Sequence, residues 1–189
     1  MRHGAQYCAP CDNPRRKVGA TTTREYGMVK ISQSVTVARP VEEVFRFVGD
    51  GFFEHGTKWN RSTVQLKKTS PGAVGNGATG FEVRRNKDKT VERHFAIRDW
   101  ERNKRFRIVS LESTSTDHYE ATYHFESMGS GTRVRVDLEL SMETGILKIM
   151  QPIAERAARK ELENEIGTLL KRAIESRAPE SAGKPGSLV

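Results

Sequence analysis

From Met28 to about Ala178 the sequence predicts an α+β fold: a curved seven-stranded antiparallel sheet wrapped around one long C-terminal helix, with two short helices after the first strand. Three observations predict it. Apolar and polar residues alternate in seven short runs separated by breaks rich in Gly, Asn or Pro. A short stretch of helical spacing follows the first run. After Thr144 the apolar period changes to 3.6 and is kept to Arg177.

The first strand rests on Val29, Ile31, Val35 and Val37, and Pro40 closes it. Val41, Val44, Phe45 and Val48 then recur at helical spacing. Pro40 stands near the first turn, and Glu42 and Glu43 lie where the helix dipole favours acids, so a short amphipathic helix is expected. Gly49, Gly51 and Gly56 punctuate the next stretch, which carries Phe52, Phe53 and Trp59 and predicts a second short helix or turn. Six further strands are predicted around residues 64–66, 81–83, 91–97, 106–108, 119–125 and 134–142. In the last, Val134, Val136, Leu138, Leu140 and Met142 share one face and Arg133, Arg135, Asp137 and Glu139 the other. One buried and one wet face imply an antiparallel meander, and Gly129-Ser130-Gly131 supplies a hairpin turn. The helical stripe runs through Ile146, Ile149, Met150, Ile153, Ala157, Leu162, Ile166, Leu169, Leu170 and Ile174. Pro152 removes a hydrogen bond and clashes one turn back. A break near residues 149–151 is therefore expected, with a short helical segment before it and a long one after.

The 189 residues suffice for one domain, and 35% hydrophobic with 30% charged residues is a globular mixture. No apolar run approaches the roughly 18 residues of a membrane span, and the N-terminus has no secretory stretch, so a cytoplasmic location is expected. The formal charge of +8, from 32 Lys+Arg against 24 Asp+Glu, raises nucleic acid or an anionic surface as partner. Its distribution argues otherwise. Part of the excess lies in residues 1–27, where Arg2, Arg15, Arg16, Lys17 and Arg24 outnumber Asp12 and Glu25. Elsewhere acids and bases interleave, as in Glu155-Arg156 and Arg159-Lys160-Glu161, the pattern of a solvated helix face. Cys8 and Cys11, near His3, lack the second ligand pair of a zinc site and the strand and helix of a redox motif, so neither metal nor cofactor is expected. Residues 1–27 read as a disordered leader, with Met28 as an alternative natural start, and 179–189 as a disordered tail.

The residues also carry a family resemblance. The first strand followed by Ala38-Arg-Pro-Val-Glu-Glu-Val-Phe45, then Trp59, the glycine-bearing stretch from Gly72 to Gly80, Gly131-Thr-Arg-Val134, and Gly145-Ile-Leu-Lys with Pro152 and Leu169-Leu-Lys-Arg172, resembles in order and spacing the SRPBCC (START-like) superfamily. The likeness is strongest to its polyketide cyclase/dehydrase and lipid-transport branch. It implies a helix-grip fold with an internal cavity between sheet and terminal helix. It implies little about activity, since members include cyclases as well as lipid and coenzyme Q carriers.

A cavity lining is expected from Trp59, Phe81, Phe95, Ile97, Phe106, Tyr119, Tyr123 and Phe125, with Met150, Ile153 and Ala157 added by the helix. Any one of these taken singly reads more readily as core. Arg93 shares the phase of Phe95 and Ile97, where an unpaired charge is costly, so it meets a ligand carboxylate or enolate, reaches solvent near a strand end, or is turned away by a bulge that changes the register. His94, His118 and His124 alternate away from the inner face and are expected outside. Tyr119 and Tyr123 are better placed to donate to a ligand carbonyl. No catalytic residue is assignable from any motif. The leading expectation is binding or carriage of a small lipid-, quinone- or polyketide-like molecule. The alternatives are a polyketide cyclase/dehydratase-type enzyme using Arg93 and Tyr123, and a module contacting a chaperone, ribosome or membrane surface.

Overall fold

The structure, a computed structural model, describes residues 26–86, 89–112, 118–143 and 151–177. The two cysteines, residues 1–25, the tail and Met150 lie outside them, while Tyr26 and Gly27, expected in the leader, open the first strand. Seven strands form one sheet: β1 (Tyr26–Val37), β2 (Thr63–Lys68), β3 (Thr79–Asn86), β4 (Lys89–Glu101), β5 (Arg105–Ser110), β6 (Tyr119–Met128) and β7 (Gly131–Glu143). Their order is β1-β7-β6-β5-β4-β3-β2, and every neighbouring pair is antiparallel. The chain thus crosses from one sheet edge to the other after β1 and then meanders back until β7 lies beside β1. The crossing is made by α1 (Val41–Phe45), a π-helical turn (Arg46–Asp50) and α2 (Phe52–Trp59).

These helices close one end of the concave face, because their apolar residues point into it. Phe45 meets the edges of Trp100 and Phe125, each at 5.0 Å between ring centres. Phe52 packs edge-on to Phe95, Phe106 and Tyr123, and Phe106 stacks on Tyr123 at 4.7 Å. Each such ring taken fully from water contributes about 2 kcal/mol by area alone. Trp100 reaches this cluster through a bulge. Asp99 adopts φ 50° and the β4–β5 register shifts between Arg98 and Glu101, which turns the following side chain inward.

The C-terminal helix is continuous through three stretches, α3 (Gln151–Leu162), a π-helical segment (Glu163–Leu170) and α4 (Lys171–Glu175). It packs against β1 and α2 and buries Leu162, Ile166, Leu170 and Ile174. The corner after β1 holds its end: the Ala38 amide donates to Glu175 Oε1 at 3.0 Å, and Arg39 Nη2 to the Arg177 carbonyl at 2.7 Å. This is the long segment expected after Pro152; the short one before it falls on residues 144–150, outside those described.

One expectation of side-chain direction is corrected here. Phe81 lies on the convex face, half-buried beside His94, its ring centre 5.9 Å from the imidazole. The register explains it: Phe81 stands opposite His94 and Glu82 opposite Arg93, so Gly80, Glu82 and Arg84 hold the concave side of β3. In β2 a register shift between Thr63 and Gln65 separates Val64, which is exposed, from Leu66, which turns inward.

Candidate functional site: a cavity with a charged end

The aromatic cluster fills only the part of the groove under α1 and α2. Between the rest of the concave face and the C-terminal helix lies a cavity of about 480 Å³, within the roughly 300–1,000 Å³ of small-molecule sites. One side is apolar: Ala121 of β6, Val136, Leu138 and Leu140 of β7, and Ala158, Leu162 and Ile166 of the helix. A recess of about 20 Å³ continues beneath α2, past Trp59, Asn60, Tyr119 and Tyr123, to Phe52, Thr63, Leu66, Glu82, Phe95 and Ile108. It has room for about one water.

The other side is charged. Arg93 Nη1 donates to Glu82 Oε1 at 2.8 Å, Thr63 Oγ1 donates to Glu82 Oε2 at 3.3 Å, and the Arg93 guanidinium lies 4.0 Å above the centre of the Tyr119 ring. From the facing helix, Glu161 and Glu165 approach Arg84 Nη2 at 3.6 and 3.8 Å. Ser62 Oγ lies within hydrogen-bonding distance of both carboxylates, 3.2 Å from Glu165 Oε1, and its one hydrogen can be given to either. Glu165 sits in the π-helical segment, which re-phases the helix so that it and Ile166 both turn to the cavity.

Burial changes the ionisation of these groups. It pushes the Glu165 carboxyl up to about 7; Arg84 opposes the shift and the Glu161 carboxylate adds to it. Burial, reinforced by Glu82, raises the Tyr119 phenol to about 12, and burial raises Tyr123 well above its usual value. Both phenols therefore stay protonated at neutral pH and can donate hydrogen bonds. Burial works against the charge of Arg84, but the carboxylates of Glu82, Glu165 and Glu161 outweigh that and raise its pKa above the ordinary arginine value.

Of the residues expected to line a cavity, Trp59, Arg93, Tyr119, Tyr123 and Ala157 border the large chamber, and Phe95 the recess. Ile97, Phe106 and Phe125 are buried in the core and border neither. Ile153, in the first turn of α3, is 58% exposed and borders neither chamber. His94 and His124 carry carboxylate partners, Glu92 and Asp137, on the convex face. His118, expected outside, instead borders the cavity, where its amide donates to Ser141 Oγ at 3.2 Å. Sequence reasoning did not place Glu82, Arg84, Glu161, Glu165, Asn60 and Ser62 at the site. The phase of Arg93 was the available signal, since an inward arginine needs a carboxylate on the strand beside it.

Residues 28–174 match the family model described as polyketide cyclase/dehydrase and lipid transport. The chain belongs to this family, a branch of the SRPBCC superfamily, and its helix-grip architecture is that of START-like proteins. No curated protein matches it by sequence. Among solved structures, one from Thermus thermophilus is 19% identical with a TM-score of 0.64, covering 78% of this chain and 97% of that one. A START superfamily protein from Mycobacterium smegmatis is 18% identical with a TM-score of 0.57, covering 78% and 95%. Truncated norcoclaurine synthase from Thalictrum flavum is 13% identical with a TM-score of 0.56, covering 81% and 97%. At these identities the likeness is one of fold. Among the described residues no helix is long and apolar enough to cross a membrane, and no group of three or more His, Cys, Asp or Glu could hold a metal ion.

Proposed function

We propose that the protein binds a small, largely apolar molecule between its sheet and its C-terminal helix, as a carrier or receptor. The observation that carries this reading is the 480 Å³ chamber, which β6, β7 and the helix line with aliphatic side chains while buried ions hold its other wall. A core selected only for stability would pack sheet and helix together, since apolar side chains left facing water forgo the stabilisation that burial gives. The test is native mass spectrometry of the protein purified from its own host, repeated after denaturation. Mass lost on unfolding identifies the ligand class. The same mass persisting in Ala158→Phe, which fills the chamber from the helix, would place the ligand elsewhere.

A second reading, a cyclase/dehydratase-type enzyme, is favoured by one observation. Glu165, with its carboxyl near 7, borders the same chamber as the protonated phenols of Tyr119 and Tyr123. A general acid/base titrating near neutral pH beside fixed hydrogen-bond donors is what enolisation or dehydration of a carbonyl compound requires. Arg93 has less part in this than its phase suggested, being already engaged by Glu82. Turnover that survives both Glu165→Gln and Tyr123→Phe would remove this reading.

A further inference from the structure

Two arginines reach the concave side of the sheet, and their donors are used differently. Arg93 is engaged: Nη1 donates to Glu82 at 2.8 Å, and the guanidinium covers the Tyr119 ring. Arg84, two residues beyond Glu82 on β3, lines the chamber with a guanidinium that has no hydrogen-bond partner among the described residues. Glu161 and Glu165 stand 3.6 and 3.8 Å from its Nη2, within reach of its charge but beyond the roughly 3.2 Å of an N–H···O hydrogen bond. An arginine carries five N–H donors in a planar fork, and this side chain is 21% exposed, so bulk water serves few of them. A cation with unused donors facing an apolar chamber suits a planar anion, which a guanidinium takes through two parallel charge-assisted bonds.

Ser62 keeps the two helix acids from closing on Arg84. Its hydroxyl meets a carboxylate oxygen of each but has one hydrogen to give, and the arrangement is satisfied when the acid pair holds one proton. That proton belongs on Glu165, whose side chain is 9% exposed against 49% for Glu161, and whose carboxyl titrates near 7. The groups around it are Arg84 and Glu82 from β3, Glu161 from its own helix, Ser62 from the turn before β2, and Tyr119 and Tyr123 from β6. Arg84 is the one cation among them, so an ionised Glu165 turns to Arg84.

Resting on the cavity reading above, we propose that Arg84 anchors the carboxylate of an otherwise apolar acid, which takes the place at the guanidinium for which the Glu165 carboxylate competes. The body of the ligand lies along Leu138, Leu140 and Ala158. While Glu165 keeps its proton it can donate to the bound carboxylate. Once ionised it is a second anion at the same cation, in a site with little water to screen the two. Binding of the acid is therefore strongest below pH 7 and falls as Glu165 loses its proton.

The experiment uses the full chain and four naphthalenes of similar shape, measured by equilibrium dialysis at pH 6 and pH 8: 2-naphthylacetate, 2-naphthylacetamide, 2-(2-naphthyl)ethylamine and 2-ethylnaphthalene. At pH 6 the carboxylate is expected to bind about tenfold or more tightly than the amide, the amine and the hydrocarbon. By pH 8 it should weaken about tenfold, while the amide and the hydrocarbon hold their affinities. Glu165→Gln, which cannot ionise, should keep at pH 8 the affinity for the carboxylate that the wild type shows at pH 6. Arg84→Met should remove the advantage of the carboxylate over the amide. The proposal is overturned if any of the other three binds the wild type as tightly as the carboxylate at pH 6, if the carboxylate binds equally at both pH values, or if it keeps its affinity in Arg84→Met. In each of these cases the cavity reading stands, because a naphthalene still binds. If none of the four binds, the cavity reading falls and the proposal with it. Where Arg84→Met folds poorly, the wild type and Glu165→Gln decide.

Discussion

Arg93 and Glu82 stand directly opposite each other on β4 and β3, with Nη1 of one 2.8 Å from Oε1 of the other, and both point to the concave side of the sheet. Their side chains are 16% and 9% exposed, so each ion has given up most of its water for its partner. Removing one partner leaves the other charge buried and uncompensated, which costs more than the pair contributes. Arg93→Met is expected to destabilise the protein by about 3 kcal/mol. The double variant Arg93→Met with Glu82→Leu should recover much of that loss, as it leaves no charge stranded. Urea unfolding of the wild type, the two single variants and the double variant measures the coupling. Strictly additive losses would show that the two ions do not act as a unit.

Glu165 predicts a pH dependence of opposite sign to that of a salt-bridged carboxylate. Its folded value lies near 7 against 4.5 for the free side chain, so between those values the folded state holds more protons than the unfolded one. Stability from this group is therefore fully present below about pH 4.5 and lost as the pH rises through 7. The full difference amounts to about 3 kcal/mol. Glu165→Gln should flatten this part of the profile, giving a smaller drop in unfolding free energy from pH 5 to pH 8 than the wild type shows. Identical profiles would mean that Glu165 ionises inside the fold at no cost.

The strand count, the antiparallel order, the two short helices and the C-terminal helix are all legible in the sequence, because each depends on a period that burial enforces over many residues. The inner face of β3 is not. Phe81 and Val83 flank Glu82 in an ordinary alternating pattern, and local hydrophobicity alone places the two apolar residues inside. The structure inverts that phase because β3 borders the polar end of the cavity, where Glu82 is set by its cross-strand partner and not by its neighbours in sequence. Arg93 is legible as inward because Phe95 and Ile97 fix its strand. The acids of the C-terminal helix are hidden for a reason similar to that of Glu82. Glu161 and Glu165 look like members of a mixed solvated face, and only the proximity of Arg84, on a strand far away in sequence, and the π-helical phase of Glu163–Leu170 turn them to the chamber.

Gly80 marks the place where that same inner face is crowded by backbone. A Cβ built there would stand 2.3 Å from Phe53 Cε1 and 2.7 Å from the Lys67 carbonyl oxygen, the second of which belongs to the paired strand and has little freedom to retreat. The ring of Phe53 covers this glycine and stacks on Phe95 at 5.8 Å. Gly80→Ala is therefore expected to cost about 2–3 kcal/mol through overpacking, despite the better strand entropy of alanine. Gly75→Ala, whose Cβ would meet nothing within 4 Å, is the control and should change stability little. Thermal unfolding of the two variants side by side makes the comparison; equal midpoints would show that β2 and β3 can part at Gly80 without loss.

Trp59 offers a direct optical report on the chamber. Its side chain is 2% exposed, borders both the large chamber and the recess, and lies 5.5 Å from the Phe47 ring. The second tryptophan, Trp100, belongs to the aromatic cluster with Phe45 and Phe106 and touches neither chamber. In Trp100→Phe, which keeps an aromatic ring in that cluster, all tryptophan emission comes from Trp59. A ligand that enters between sheet and helix changes the surroundings of this indole, so titration should give a saturable change in its intensity. Adding Ala158→Phe is expected to abolish the change while shifting stability by no more than about 1–3 kcal/mol, the range for one added side chain in a partly open site. A fluorescence response that survives the filled chamber would move binding away from the helix. A calorimetrically detected ligand that leaves Trp59 silent would place it toward Leu138 and Leu140, beyond reach of the charged wall.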